Sequence, residues 1–161
     1  MRYHKYPLKV KNPPRQNFFL VEGVGQKGPV TYGTYDWENM PLVYSRGEYS
    51  DVEANAVAAL MWNIGANVEM NYGLGEDGGS GASTENAIRA LREVFGYSAG
   101  ARLLYKKDYR WNEWKELLRK ELEENRPVLY SGFTSKEDGH AFVCDGYKDG
   151  EAFHINWGVG R

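Results

Sequence analysis

The spacing of apolar positions changes character along the chain. From Asp51, "DVEANAVAALMWNIGANVEM" puts Val52, Ala56, Ala59, Leu60 and Ile64 near helical spacing. Ser50 or Asp51 can accept hydrogen bonds from the first unpaired amides. The pattern predicts a helix over about 51–64 that Gly65 stops. "TENAIRALREVFGY" predicts a second, with Ala87, Ile88, Leu91 and Phe95 on one face, Ser83 or Thr84 as cap and Gly96 as stop. A third spans about Asn112 to Asn125, where Trp114, Leu117, Leu118 and Leu122 recur at threes and fours before Pro127.

Beyond Pro127 the period shortens. "PVLYSGF", "HAFVCDGY" and "EAFHINW" are short β-rich runs separated by the turn chemistry of "TSKEDG" and "KDG", which predicts an antiparallel meander. The chain reads as one α+β domain over 1–161, helical from about 50 to 125 and stranded from 126 to 161. Residues 1–49 are rich in Tyr, Pro and Gly and predict turns with short extended pieces. The aromatic stretch at 31–42 reads as an ordered arm packed on a core. Residues 72–83 are too glycine-rich to pack and predict a loop. It lacks the Lys-Ser/Thr of a phosphate-binding loop and follows no evident parallel strand, which leaves a plain surface loop or one whose bare backbone admits an extended peptide.

Composition narrows the classes of function. With 161 residues and 42% apolar side chains, the chain can bury a core and fold as a globule. A net charge of -2, with no basic cluster longer than Lys106-Lys107, argues against binding to nucleic-acid phosphates. No stretch approaches the roughly 20 apolar residues of a membrane span. "MRYHKYPLKVKNPP" carries no signal-peptide core, so the protein stays inside or its export signal lies outside these residues. A single cysteine precludes an internal disulfide.

That cysteine stands in "HAFVCDG", four positions after His140. On a strand the two share a face but lie about 13 Å apart, whereas a base must come within about 3 Å of the proton it takes. Cys144 therefore reads as a buried small hydrophobe. His140 opens a strand directly after Asp138-Gly139, either as a satisfied structural histidine or as a side chain facing a cleft. No metal is expected, because His4, His140 and His154 have no ligand spacing and no second cysteine helps. No other cofactor is implied. Trp157 alone says little.

Taken in order, "YHKYP" (3–7), "YDWENM" (35–40), "MNYG" (70–73), the glycine-rich loop, "ALREVFGY" (90–97), "RPVLYSG" (126–132), "DGHAFVCDGY" (138–147) and "FHINWG" (153–158) resemble the streptopain family of papain-like cysteine peptidases. The resemblance implies a helical lobe, a β lobe and a cleft between them that holds an extended polypeptide. It implies that a thiolate attacks the scissile carbonyl while an imidazole carries the proton. His140 matches the family's catalytic histidine. Trp157, in an Asn-Trp-Gly motif with Asn156 beside it, matches the tryptophan that orients and shields that imidazole. Ser80 and Gly139 match positions lining the substrate cleft. The resemblance also implies secretion, and a propeptide or inhibitor as a further partner.

Two departures from the family pattern matter. The nucleophilic cysteine lies about nine residues before the methionine matching Met1, with the oxyanion glutamine ahead of it, so both fall outside this sequence. The family's Asn-Trp-Gly-Trp-Gly-Gly run reads "NWGVGR", departing at Val159 and Arg161, and relatives continue through further strands. The expectation is an interior piece of a peptidase, with an incomplete fold and inactive alone. The alternative is a non-catalytic relative that binds peptides or acts as an inhibitor.

Overall fold

The computed structural model describes residues 1–14, 18–21, 23–45, 47–73, 79–135, 139–148 and 152–158. Asp138, Val159, Arg161 and the middle of the glycine-rich segment lie outside the described residues. The chain forms two compact units, Met1–Leu103 and Leu104–Arg161.

In the first unit, helix α1 spans Asp51–Asn67. Its start is a reciprocal cap in which the Glu53 amide donates to the Ser50 hydroxyl at 3.3 Å and the Ser50 amide donates to the Glu53 carboxylate at 2.7 Å. Gly65 does not stop it, contrary to the sequence reading. It sits inside the helix, where a Cβ would lie 1.9 Å from the Tyr72 hydroxyl oxygen. Glycine is there for close approach, and the helix ends at Asn67 with Val68 as its cap, after which Glu69 turns left-handed at φ 57°. The Glu69 carboxylate accepts from Arg89 at 2.6 Å and from Asn86 at 3.3 Å.

Ala56, Leu60, Asn63 and Asn67 form the buried face of α1. The two asparagines fasten the 31–40 segment to it. The Tyr35 hydroxyl donates to Asn63 Oδ1 at 2.9 Å, and Asn63 Nδ2 donates to the Thr31 carbonyl at 2.8 Å. Tyr35, Trp37 and Met40 thereby enter the core with Val10, Leu60, Val68, Ala90 and Phe95. The expected arm is part of the core itself.

Helix α2, Thr84–Arg89, is capped by the Ser83 hydroxyl, which accepts from the Asn86 amide at 3.0 Å. It continues as a π-helical turn over Ala90–Val94 and closes at Gly96, whose φ is +74°. Strands β1 (Phe19–Val21), β2 (Gly25–Lys27) and β3 (Asn71–Tyr72) form a small sheet in the order β2-β1-β3, with β1 parallel to β3. The glycine-rich segment does follow a strand with a parallel partner, one only two residues long. Its base is closed by paired amide bonds between Asn71 and Gly81 at 2.9 and 3.0 Å.

The second unit contains α3 (Trp111–Glu123) and strands β4 (Val128–Phe133), β5 (Gly139–Lys148) and β6 (Ala152–Asn156), which form the expected antiparallel meander with β5 in the centre. Glu113 accepts from the Arg110 amide at 2.8 Å at the start of α3, and Asn125 at φ 55° turns the chain after it. The helix buries Trp114 and Leu118. Trp114 Nε1 donates to the Tyr130 hydroxyl at 2.9 Å, and the Tyr147 hydroxyl donates to Glu123 at 3.2 Å. These bonds fix α3 to one face of the sheet.

Candidate active site

Register decides which side chains of the meander share the α3 face. Tyr130 stands opposite Phe142, Gly132 opposite His140 and Val128 opposite Cys144. Strand alternation then sets His140, Phe142 and Cys144 on one face. Cys144, at the α3 end, is fully buried, and burial pushes its thiol pKa up. It is a core residue, as the sequence implied, two strand positions beyond Phe142 from His140.

His140 is exposed. It follows Gly139, and its neighbour across the pair of strands is Gly132, which has no side chain to cover the ring. His140 Nε2 lies 2.8 Å from the Trp157 carbonyl oxygen. A carbonyl only accepts, so Nε2 carries the proton and, in the neutral ring, Nδ1 carries the lone pair. Nδ1 has no hydrogen-bond partner among the described residues. One nitrogen is thus tied to the backbone, and the other is available to take a proton from a group brought against it.

Trp157 reaches this position through a turn at the end of β6. Asn156 Oδ1 accepts from the Gly158 amide at 3.0 Å, and Gly158 adopts φ +71°, a conformation that favours glycine. The Asn156 carboxamide therefore shapes the Asn-Trp-Gly turn, and it is the Trp157 carbonyl that meets the imidazole. The Trp157 indole, 52% exposed, lies with its ring centroid 6.1 Å from that of His140 at 30°.

Gly139 is exposed beside His140, and a Cβ on it would come within 2.8 Å of the Phe133 ring. A chain laid along Gly139 on that side would meet Phe133, itself 77% exposed. Ser80 belongs to the first unit, where its hydroxyl accepts from the Gly73 amide at 3.3 Å and links the two ends of the glycine-rich segment.

Two features escaped the sequence reading. One is the row of rings behind His140, in which Tyr130, Phe142 and Trp157 follow one another at centroid distances of 5.1 and 4.8 Å; Phe142 could have been found from its period-two spacing from His140. The other is the pair His154 Nδ1 to Asp145 Oδ1 at 2.5 Å, next to the bulge between Cys144 and Gly146. Among the described residues there is no group of three or more His, Cys, Asp or Glu side chains able to hold a metal. No described helix is long and apolar enough to cross a membrane.

Comparison with known proteins places this geometry in context. The model of the peptidase C10 family matches residues 1–160. The chain is 38% identical over 161 residues to the thiol protease/hemagglutinin PrtT of Porphyromonas gingivalis, covering 99% of this chain and 18% of that protein. It is 34% identical over 165 residues to streptopain of Streptococcus pyogenes, covering 99% of this chain and 40% of the relative. The solved structure of the Prevotella intermedia interpain A cysteine protease aligns with a TM-score of 0.78 and 34% identity, over 98% of this chain and 65% of that one. The chain thus spans well under half the length of these two curated relatives, and the α+β, papain-like fold expected from the sequence is the one it has. It belongs to the peptidase C10 family.

Proposed function

We propose that this chain is the part of a cysteine endopeptidase that supplies the general base, His140, for thiol-dependent cleavage of an extended polypeptide. The observation that carries the reading is an exposed imidazole with Nε2 held by the Trp157 carbonyl and Nδ1 without a partner among the described residues. In this reading a thiol gives its proton to Nδ1 and its sulfur attacks the scissile carbonyl carbon. The C–N bond breaks as the leaving amine takes that proton from Nδ1. Water, deprotonated by the same nitrogen, then releases the acid and restores the thiol. The Trp157 carbonyl stabilises the imidazolium that forms twice in the cycle, and the indole shields it from bulk water. Asn156 keeps the turn that presents the carbonyl. Ser80 and Gly139 contact the backbone of the bound polypeptide.

In this reading the sulfur comes from outside these 161 residues, since their one cysteine, Cys144, is buried with a raised thiol pKa, and by family resemblance an oxyanion-holding glutamine accompanies it. The 161 residues by themselves then cleave nothing. Secretion, and control by a propeptide or inhibitor, belong to the same reading by family resemblance. The test compares the 161-residue chain with the extended protein read from its gene, using casein and a thiol alkylator. Cleavage by the extended protein alone, abolished by the alkylator, is the expected result. Alkylator-insensitive cleavage by either would overturn the reading. The lack of an accessible cysteine favours one second reading, a peptide-binding relative without catalysis. It predicts no cleavage by either protein and a melting temperature raised by peptide.

A further inference from the structure

We propose that Phe142 is a positioning residue for His140, acting as the wedge that holds the Trp157 carbonyl against Nε2. The inference rests on His140 being the base.

Phe142 is half-buried in the centre of β5 and meets three rings on one face of the sheet. It stacks on Tyr130 at 5.1 Å and 16°, faces Trp157 at 4.8 Å and 48°, and lies nearly parallel to His140 at 6.4 Å and 20°. Tyr130 is in turn fixed by the Trp114 Nε1 bond at 2.9 Å. A continuous path of packed rings therefore runs from the buried face of α3 to the exposed imidazole.

Trp157 lies beyond the last residue of β6, so no ladder bond of the meander holds its carbonyl. Among the described residues, two contacts fix it besides those with His140: the Asn156–Gly158 turn, and the seat of the indole against Phe142 at the shortest ring-centroid distance in this cluster. The turn sets the shape of Trp157 and Gly158 but leaves their swing about the strand end open. The ring contact removes that swing. Without the phenyl ring, the indole loses its neighbour, the carbonyl leaves Nε2, and the choice of protonated nitrogen is no longer dictated by the protein. An aliphatic residue of similar volume would fill the space without offering a flat face to two rings.

The tautomer is the readout, because a residue that merely packs the sheet would not move it. Long-range proton–nitrogen correlation spectra of the 161-residue chain report the ratio of Nε2–H to Nδ1–H forms of His140 at a pH where the ring is neutral. For Phe142→Leu that ratio is expected to fall at least about threefold, as for a lost hydrogen bond of ordinary strength. Phe142→Tyr, which keeps the ring, is expected to restore it. Phe142→Met gives the same reading should the leucine variant fail to fold. An unchanged ratio in the folded leucine or methionine variant overturns the proposal, whatever happens to the melting temperature. In the extended peptidase, the leucine variant is expected to lower kcat about tenfold with KM within about twofold; a change confined to KM would likewise overturn it. A shifted tautomer, alongside proteolysis that survives His140→Ala, would leave Phe142 a positioning residue and remove the proposed base.

Discussion

Replacing Trp114 by Phe probes the join between α3 and the sheet on which the site is built. Trp114 is 7% exposed, donates to the Tyr130 hydroxyl at 2.9 Å and meets its ring edge-on at 5.9 Å and 83°. Phenylalanine keeps much of the ring contact but loses the donor and part of the buried indole. The lost bond accounts for about 1 kcal/mol and the lost apolar area for about 1 kcal/mol more. Tyr130→Phe instead leaves a buried indole N–H without its acceptor, which costs about 1–3 kcal/mol. The double variant has neither partner, so its cost should fall short of the sum of the singles by about 1–2 kcal/mol. Urea denaturation followed by far-ultraviolet circular dichroism measures all four proteins. Additivity within about 0.3 kcal/mol would refute the claim that this bond couples helix to sheet.

Asn63→Ala should destabilise the chain by about 2–4 kcal/mol, because it strands the buried Tyr35 hydroxyl and opens a small cavity; Tyr35→Phe should cost less, and thermal melts of both decide. Cys144 should resist iodoacetamide until urea is added. Its folded thiol pKa is raised by burial, so its contribution to stability is full below the unfolded thiol value, about 8.5, and declines as pH rises through the folded one. Cys144→Ala should therefore show a shallower alkaline loss of stability than the parent. The Arg89 guanidinium holds the Glu69 carboxyl below its ordinary value. That contribution is present above the unfolded carboxylate value, about 4.3, and is lost as pH falls through the folded one. Glu69→Gln should flatten the acid limb of the stability curve.

Local chemistry made much of the fold legible. Ser50 and Ser83 cap the helices the periodicity predicts, and Gly96 closes the second. The three β-rich runs pair in chain order. Gly65 misled because a glycine chosen for close approach looks in sequence like one chosen for a left-handed turn. The π-helical turn at Ala90–Val94 buries Ala90 and Phe95, five residues apart, and leaves Ile88 and Leu91 half-buried, an offset that spacings of three and four do not reveal. Helix α3 shows its amphipathic face in sequence, but not that the face lies on the sheet. At the candidate site, the place of His140 at the opening of a strand left a structural histidine and a cleft-facing one both open, and only the family resemblance singled it out. Its hydrogen-bond partner was not legible, since a backbone carbonyl has no residue identity to read.

The chemistry proposed for this chain turns on the His140 imidazole moving the proton in peptide cleavage. Measuring kcat for His140→Ala in the thiol-bearing extended protein tests it most directly, with circular dichroism as the check on folding. A folded variant whose kcat has fallen by about 100-fold to 10,000-fold is the predicted result. A folded variant that cleaves within about threefold of the parent would contradict it.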